Sequence, residues 1–507
     1  MTKFTITRLT VAVITTLTLA NSVWAANSPT YEAKVPQSVI TPNEVSSNYL
    51  GELTFNDGFP SELTAQKTYD YLDTARAVEL FINALPTASM YGMLNGHKEI
   101  GFEENKTVGI TEQLMDARSL WLTPQTTTPY ATTEVDLRNG PVVLDVQTPI
   151  LGILDDAYFQ YVSDIGITGP DKGKGGKYFI VGPDYEGEIP QGYHVVKSKT
   201  YRHWLIMRVF IKDGELEKSV ADFKRGFKIY PYSNPEQKTE FVNLSGKQYN
   251  TIHAMDETIF DEINEVIQYE PEGSYDPEIL GLAASIGIKK GQPFAPDARM
   301  KSILQEASKI GSSAARTTTY RPRNEALFFY SDRQWYSPLA SGSYEFLDDG
   351  ARAIDDRLAF HFYATGVTPA MTQPAIGKGS VYEIASTDQN GQRLDGGQHY
   401  AVTLPGPVPS ANFWSFMVYD NQTRSILETD QKSGGVDSNS SVMKYNEDGS
   451  VTIHFSPNVP EGKEGNWVQT MPDKGYNVLL RIYGPEKAWF DKSWKPGDFV
   501  PVKYLQY

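Results

Sequence analysis

Residues 476–484 read Tyr-Asn-Val-Leu-Leu-Arg-Ile-Tyr-Gly, and the fold class follows from that run. Successive side chains of an extended chain point to opposite faces, so Val478, Leu480 and Ile482 form one face and Asn477, Leu479, Arg481 and Tyr483 the other. Arg481 is expected to meet a carboxylate or a backbone carbonyl. Outward from this strand, VYEIA (381–385), YAVTL (400–404), FWSFMVY (413–419) and SVTIHF (450–455) recur at regular spacing between Gly, Pro and Asp turns. That pattern predicts a β-sandwich over 366–507. The same texture in VVLDV (142–146), YFQYV (158–162), KYFIVG (177–182) and WLIMRVFI (204–211) predicts an earlier sandwich over 126–215.

Helical spacing occupies the intervals. Tyr69, Leu72, Ala75, Val78, Ile82 and Leu85 recur at three- and four-residue steps within a helical segment, 61–125, which Pro86 should break or kink. A second helical segment, 216–365, has its clearest helices at Asp256–Ile267 and Ala298–Ile310, with a further one at Tyr344–Tyr363. Residues 26–60 are rich in Ser, Thr, Asn and Pro, lack periodicity, and read as an extended arm that could pack on another subunit of a homo-oligomer. The class is mainly β with α segments.

The chain has 507 residues, 40% hydrophobic and 21% charged, which excludes disordered, collagen-like and coiled-coil classes. Aromatic residues make up 12%, a bias that suits half-buried strands and ligand surfaces. A formal charge of −16 argues against nucleic acid and anionic membranes as partners. Residues 1–25 read as a secretory signal, with Lys3 and Arg8 at the charged start, Leu9 to Ala20 apolar, and Val23-Trp24-Ala25 the small-residue exit. No later run has the roughly 18 uncharged residues of a membrane span. The mature chain is therefore expected to begin near Ala26 and to be periplasmic or secreted. Without Cys it has no disulfides, thiolate metal sites or thiol nucleophiles.

No motif specifies a chemistry. The seven His residues include no H-E-x-x-H and no H-x-H, so neither a metal nor another cofactor is assigned. His454 falls on the polar face of its strand, beside Thr452. There is no G-x-S-x-G, and Gly173–Gly176 and Gly377–Ser380 read as turns rather than phosphate loops. Asp348, Asp349, Asp355 and Asp356 have the spacing of a solvated helix face with Arg352 between them. Adjacent strand residues such as Asp155 and Asp156 cannot form a dyad with each other. The loop Pro124-Gln-Thr-Thr-Thr-Pro-Tyr130, with Asp136 beyond it, either lines a pocket or caps its own backbone.

Thr128-Pro129-Tyr130, Asp136-Leu137, Gly140-Pro141-Val142-Val143-Leu144, Gly182-Pro183-Asp184-Tyr185-Glu186-Gly187 and Arg208 resemble the bacterial family called domain of unknown function 1254. Gln125 and Thr127 stand where that family usually has Asn and Asp, and Tyr185 stands for Trp. Arg357, Tyr382, Asp388, Phe413-Trp414-Ser415, Tyr419-Asp420, Asn466-Trp467, Arg481 and Tyr483-Gly484-Pro485 resemble its partner family, domain of unknown function 1214. The resemblance implies an Ig-like β-sandwich, then a C-terminal jelly-roll β-sandwich, with helices before and between them. It implies no activity.

Binding of a small molecule or glycan at the junction between domains is the preferred reading, with Thr128, Tyr130, Asp136, Asp156, Arg208, Arg357 and Trp414 as candidate ligand residues. Trp414 reads first as core and second as an aromatic platform for a ligand. One alternative is an enzyme acting on a glycan through carboxylate and Tyr chemistry, using Asp136, Asp156, Tyr130 and Arg208. The other is a structural or assembly protein of the cell envelope.

Overall fold

The computed structural model describes residues 33–502 except 338, 340 and 341, so the expected leader and its expected cleavage position lie outside the described residues. Described residues up to Thr68 form one compact unit and residues from Tyr69 onward another. The first unit contains a three-stranded antiparallel sheet, Glu44–Ser47, Gly51–Asn56 and Phe59–Pro60, within the stretch read as an extended arm. Asp57 and Gly58 both have positive φ, 50° and 81°, which is the turn that closes a tight hairpin with the twist strands require. None of its strand residues is fully buried, so no apolar alternation marks them in the sequence.

A 38-residue helix, Glu62–Glu99, runs through Pro86 without the expected break. Proline inside a helix costs about 3 kcal/mol. Here Phe81, Ala84, Leu85 and Ala88 are buried with Ile263, Val266, Ala307 and Leu358 in one core, and that burial outweighs the lost hydrogen bond. The same helix lies close to the chain at 250–253. A Cβ on Gly96 would stand 2.0 Å from the Asn250 carbonyl oxygen, and one on Gly92, a turn earlier, 2.9 Å from that of Thr251. Gly96→Ala is therefore expected to destabilise by about 3 kcal/mol through overpacking, against a helix-propensity gain of about 1 kcal/mol. A melting temperature no lower than that of the parent would show the contact to be loose.

Three further helices, those read individually from the sequence, depart from expectation at their ends. They are Ile259–Tyr269, Ala298–Tyr320 and Ile354–Tyr363. The last is shorter than its expected 344–363 because Asp349 and Gly350, again both at positive φ, close a hairpin of Leu347–Asp348 and Ala351–Arg352. Asp348 and Asp349 therefore share no helix face with Asp355, which instead pairs with Arg323 at 2.7 Å.

The earlier sandwich packs a six-stranded sheet on a four-stranded one. In the larger, the spatial order is Glu240–Asn243, Thr107–Ile110, Tyr130–Asp136, Arg202–Val209, Ile150–Asp156, Tyr161–Gly166; in the smaller, Tyr193–Lys197, Gly176–Val181, Val142–Val146, Phe227–Pro231. Val108, Val135, Leu144, Ile180 and Leu205 lie in the core between them. The later sandwich has two four-stranded sheets, Ser380–Ala385, Tyr476–Pro485, Ser410–Asp420, Gly435–Asp437 and Trp467–Gln469, Val451–Ser456, Tyr400–Leu404, Val500–Pro501. Val478, Leu480 and Ile482, the face read as apolar, are fully buried in its core with Phe416 and Phe455. His454 is only half-buried, and its Nδ1 lies 3.0 Å from Nε2 of His399, the residue before the paired strand Tyr400–Leu404.

Candidate functional site

The two sandwiches meet at a cavity of about 950 Å³. One wall is the outer face of the six-stranded sheet. There Arg208 pairs with Tyr130 on one side and Leu151 on the other, and Ile206 with Ile153 sits two residues along on the same face. The opposite wall is the outer face of the Tyr476–Pro485 sheet, which contributes Leu479, Arg481 and Tyr483, with Tyr382 beside Arg481 on the adjacent strand. Alternation along 476–484 thus divides that strand as read from the sequence, one face to its own core and the other to the cavity.

Arg481 is 3% exposed. Its Nη2 donates to the Thr123 carbonyl at 2.9 Å, the backbone acceptor expected for it, while Nε and Nη1 are buried without a hydrogen-bond partner. Burial works against the charge on both guanidiniums. On Arg208 the surrounding Tyr382, Tyr130 and Tyr483 oppose that loss and hold the pKa above its ordinary value; on Arg481 Tyr419, Tyr483, Tyr130 and Tyr382 do the same. Burial in turn pushes the Tyr483 and Tyr419 phenols up, so both stay neutral. Phe413 stacks on Tyr483 with ring centroids 4.1 Å apart.

The Pro124–Tyr130 loop both caps itself and borders the cavity. Gln125 Oε1 accepts from the backbone N–H of Thr127 and Thr128 at 2.5 and 2.8 Å, and its Nε2 donates to the Thr128 carbonyl at 2.6 Å. Tyr419 donates to the Pro124 carbonyl at 2.6 Å, which ties the loop to the later sandwich. Gln125 is therefore the organiser of the loop. Lys378 and Gly379, from the second glycine cluster, lie at the cavity wall.

Of the seven candidate residues the cavity collects Thr128, Tyr130 and Arg208. Asp136 ends the strand that Tyr130 begins, about 20 Å along, and is buried against Arg138, at 3.0 Å, and the Tyr269 hydroxyl. Asp156 and Arg357 line a separate cavity of about 630 Å³. There Asp156 Oδ1 accepts from the backbone of Tyr158 and Gln160 at 2.9 Å each, and burial pushes its pKa up to about 6 despite those bonds. Arg357 donates to Asn83. Trp414 is buried in the later core against Phe416, so it offers no platform. The carboxylate pair of the enzyme alternative also fails on register. Asp136 pairs with Arg202 and Asp156 with His203, and those neighbours point to opposite faces of one sheet.

The sequence reading passed over Arg481 and Tyr382 as site residues. The signal available for Arg481 was a lone guanidinium within an apolar strand, Leu479-Leu480-Arg481-Ile482, repeated in Ile206-Met207-Arg208-Val209. Among the described residues no three His, Asp or Glu converge as a metal site, and no helix is long and apolar enough to cross a membrane.

The chain is similar in fold to the VPA0106 protein from Vibrio parahaemolyticus, at 18% identity and a TM-score of 0.51, over 85% of this chain and 100% of that one. An uncharacterized protein from Burkholderia cenocepacia aligns at 12% identity and a TM-score of 0.37, over 87% of this chain and 97% of the other. No curated protein matches the sequence. Residues 105–231 match the family described as "Protein of unknown function (DUF1254)" and residues 379–487 the one described as "Protein of unknown function (DUF1214)", so each matched segment carries one of the two guanidiniums that face the cavity.

Proposed function

We propose that this is an exported protein that binds a small molecule in the cavity between its two sandwiches. The observation that carries the reading is the cavity itself. Its roughly 950 Å³ is of the size that holds a drug-sized ligand, and its wall is mostly aliphatic and aromatic, with Arg208, Lys378 and Arg481 as its charged groups. A glycan presents hydroxyls on every side and would leave most of them unpaired against Leu151, Ile153, Ile206 and Leu479. An apolar body fits this wall better. Export rests on residues 1–25 and would place the ligand in the periplasm or outside the cell.

Nile red, an uncharged dye that brightens in apolar surroundings, tests the reading. Saturable binding of one dye per chain is expected, weakened at least tenfold in Ala364→Trp, which fills the cavity from its helical side. Binding that does not saturate, or that Ala364→Trp leaves unchanged, would count against the cavity as the site.

A further inference from the structure

We infer that the natural ligand is an organic monoanion, a carboxylate head on an apolar body, with the head held between Arg208 and Arg481. This rests on the cavity being a ligand site and adds the ligand's chemistry. The chain carries 62 acidic residues, yet among the described residues not one Asp or Glu lines this cavity, whereas Arg208, Arg481 and Lys378 do. Among the described residues neither Arg208 nor Arg481 forms an ion pair with a carboxylate. An acidic protein has thus gathered cations around one enclosed space and kept its own anions out.

A buried guanidinium without a counter-charge is costly, and proteins ordinarily place a carboxylate beside it. Arg202 illustrates the ordinary arrangement, 3.3 Å from Glu134. Arg424, also fully buried, donates from Nε and Nη1 to the carbonyls of Phe362 and Gln422 and leaves Nη2 alone unpartnered. Arg481 differs from both. One of its nitrogens is bonded to Thr123, and the remaining two are buried without an acceptor.

Tyr130 sits beside Arg208 on the adjacent strand and Tyr382 beside Arg481, and all four line the cavity with Tyr483. A neutral hydroxyl can accept a hydrogen bond from an arginine but supplies no net charge. What is missing is a compact anion with two acceptor oxygens. A carboxylate meets the planar guanidinium fork with paired hydrogen bonds. A doubly charged phosphate would bring a hydration shell that the aliphatic wall cannot replace. Beyond the head, Ile206, Leu479 and Phe360 offer only apolar contact, which sets the body of the ligand.

Calorimetric titration with octanoate and 1-octanol at pH 7.5 separates the head from the tail, because the two differ in the charged group alone. Octanoate is expected to bind at least tenfold more tightly than octanol to the parent protein. In Arg481→Met and in Arg208→Met the preference should fall to within about threefold while octanol affinity is kept, with Nile red confirming that each variant retains its cavity. Should Arg481→Met fail to fold for want of its Thr123 bond, Arg208→Met asks the same question from the other wall, and the parent ratio stands by itself. Octanoate binding no tighter than octanol, or a preference that both substitutions leave intact, overturns the inference. If Nile red still binds in that case, the cavity remains a ligand site for an uncharged molecule; if Nile red fails as well, the reading beneath it fails too.

Discussion

Glu383→Gln is expected to make the protein more stable at pH 9 while leaving it nearly unchanged at pH 5. Glu383 lies on the strand Ser380–Ala385, is 1% exposed, and neither of its carboxylate oxygens has a hydrogen-bond partner. Burial pushes its pKa up to about 8, and the nearby Trp489 indole and Lys492 offset only part of that. A carboxyl whose pKa is raised on folding binds its proton more tightly in the native state. Its contribution to stability is complete below the unfolded value, about 4.5, and is lost as the pH rises through about 8. A rise of that size corresponds to a loss on the order of 4 kcal/mol. The glutamine amide has nearly the same shape and no charge to desolvate, so the variant escapes the loss. Glu262, also pushed up to about 8, and Glu134 and Glu270, at about 7, titrate in both proteins and cancel in the comparison. Urea unfolding at the two pH values measures the difference directly, and parallel stabilities would show Glu383 to be solvated.

Trp335→Ala is expected to cost about 4 kcal/mol, the range for removing a fully buried aromatic ring. Trp335 has no exposed surface, and its ring centroid lies 6.0 Å from that of Phe416 and 5.8 Å from that of Phe499. Its Nε1 donates to the Gly497 carbonyl at 2.9 Å, so truncation leaves both a void and an unpaired acceptor. The ring comes from a segment outside residues 379–487, yet it fills the core of the sandwich those residues build. A urea midpoint shift equivalent to less than 1 kcal/mol would show that the later sandwich is held without it.

What was legible in the sequence is what short β-branched and aromatic runs between Gly, Pro and Asp turns write there. VVLDV and YAVTL coincide with the strands Val142–Val146 and Tyr400–Leu404, and the split of 476–484 into a core face and a second face is the one observed. What was not legible came from turns and from packing at a distance. Asp57-Gly58 and Asp349-Gly350 close hairpins whose strands bury neither face, so no pattern announced them. The persistence of the long helix through Pro86 depends on a core assembled from helices far along the chain. The site followed the same division. Thr128, Tyr130 and Arg208 were found from one loop and one strand. The placing of Arg208 and Arg481 on the walls of one cavity joins two sheets far apart in the chain, and the scatter of Asp136, Asp156, Arg357 and Trp414 was fixed by register and core packing that a linear reading does not contain.

In the six-stranded sheet, Thr107–Ile110 has Tyr130–Asp136 on one side and Glu240–Asn243, in parallel, on the other. The second neighbour is encoded long after the first, so a chain emerging from its N-terminus carries an open row of amide and carbonyl groups along Thr107–Ile110 until residue 243 has followed. Such an edge pairs readily with a neighbouring molecule. A fragment cut at 231, the end of the earlier matched segment, would keep that edge open permanently, and its natural fate is self-association.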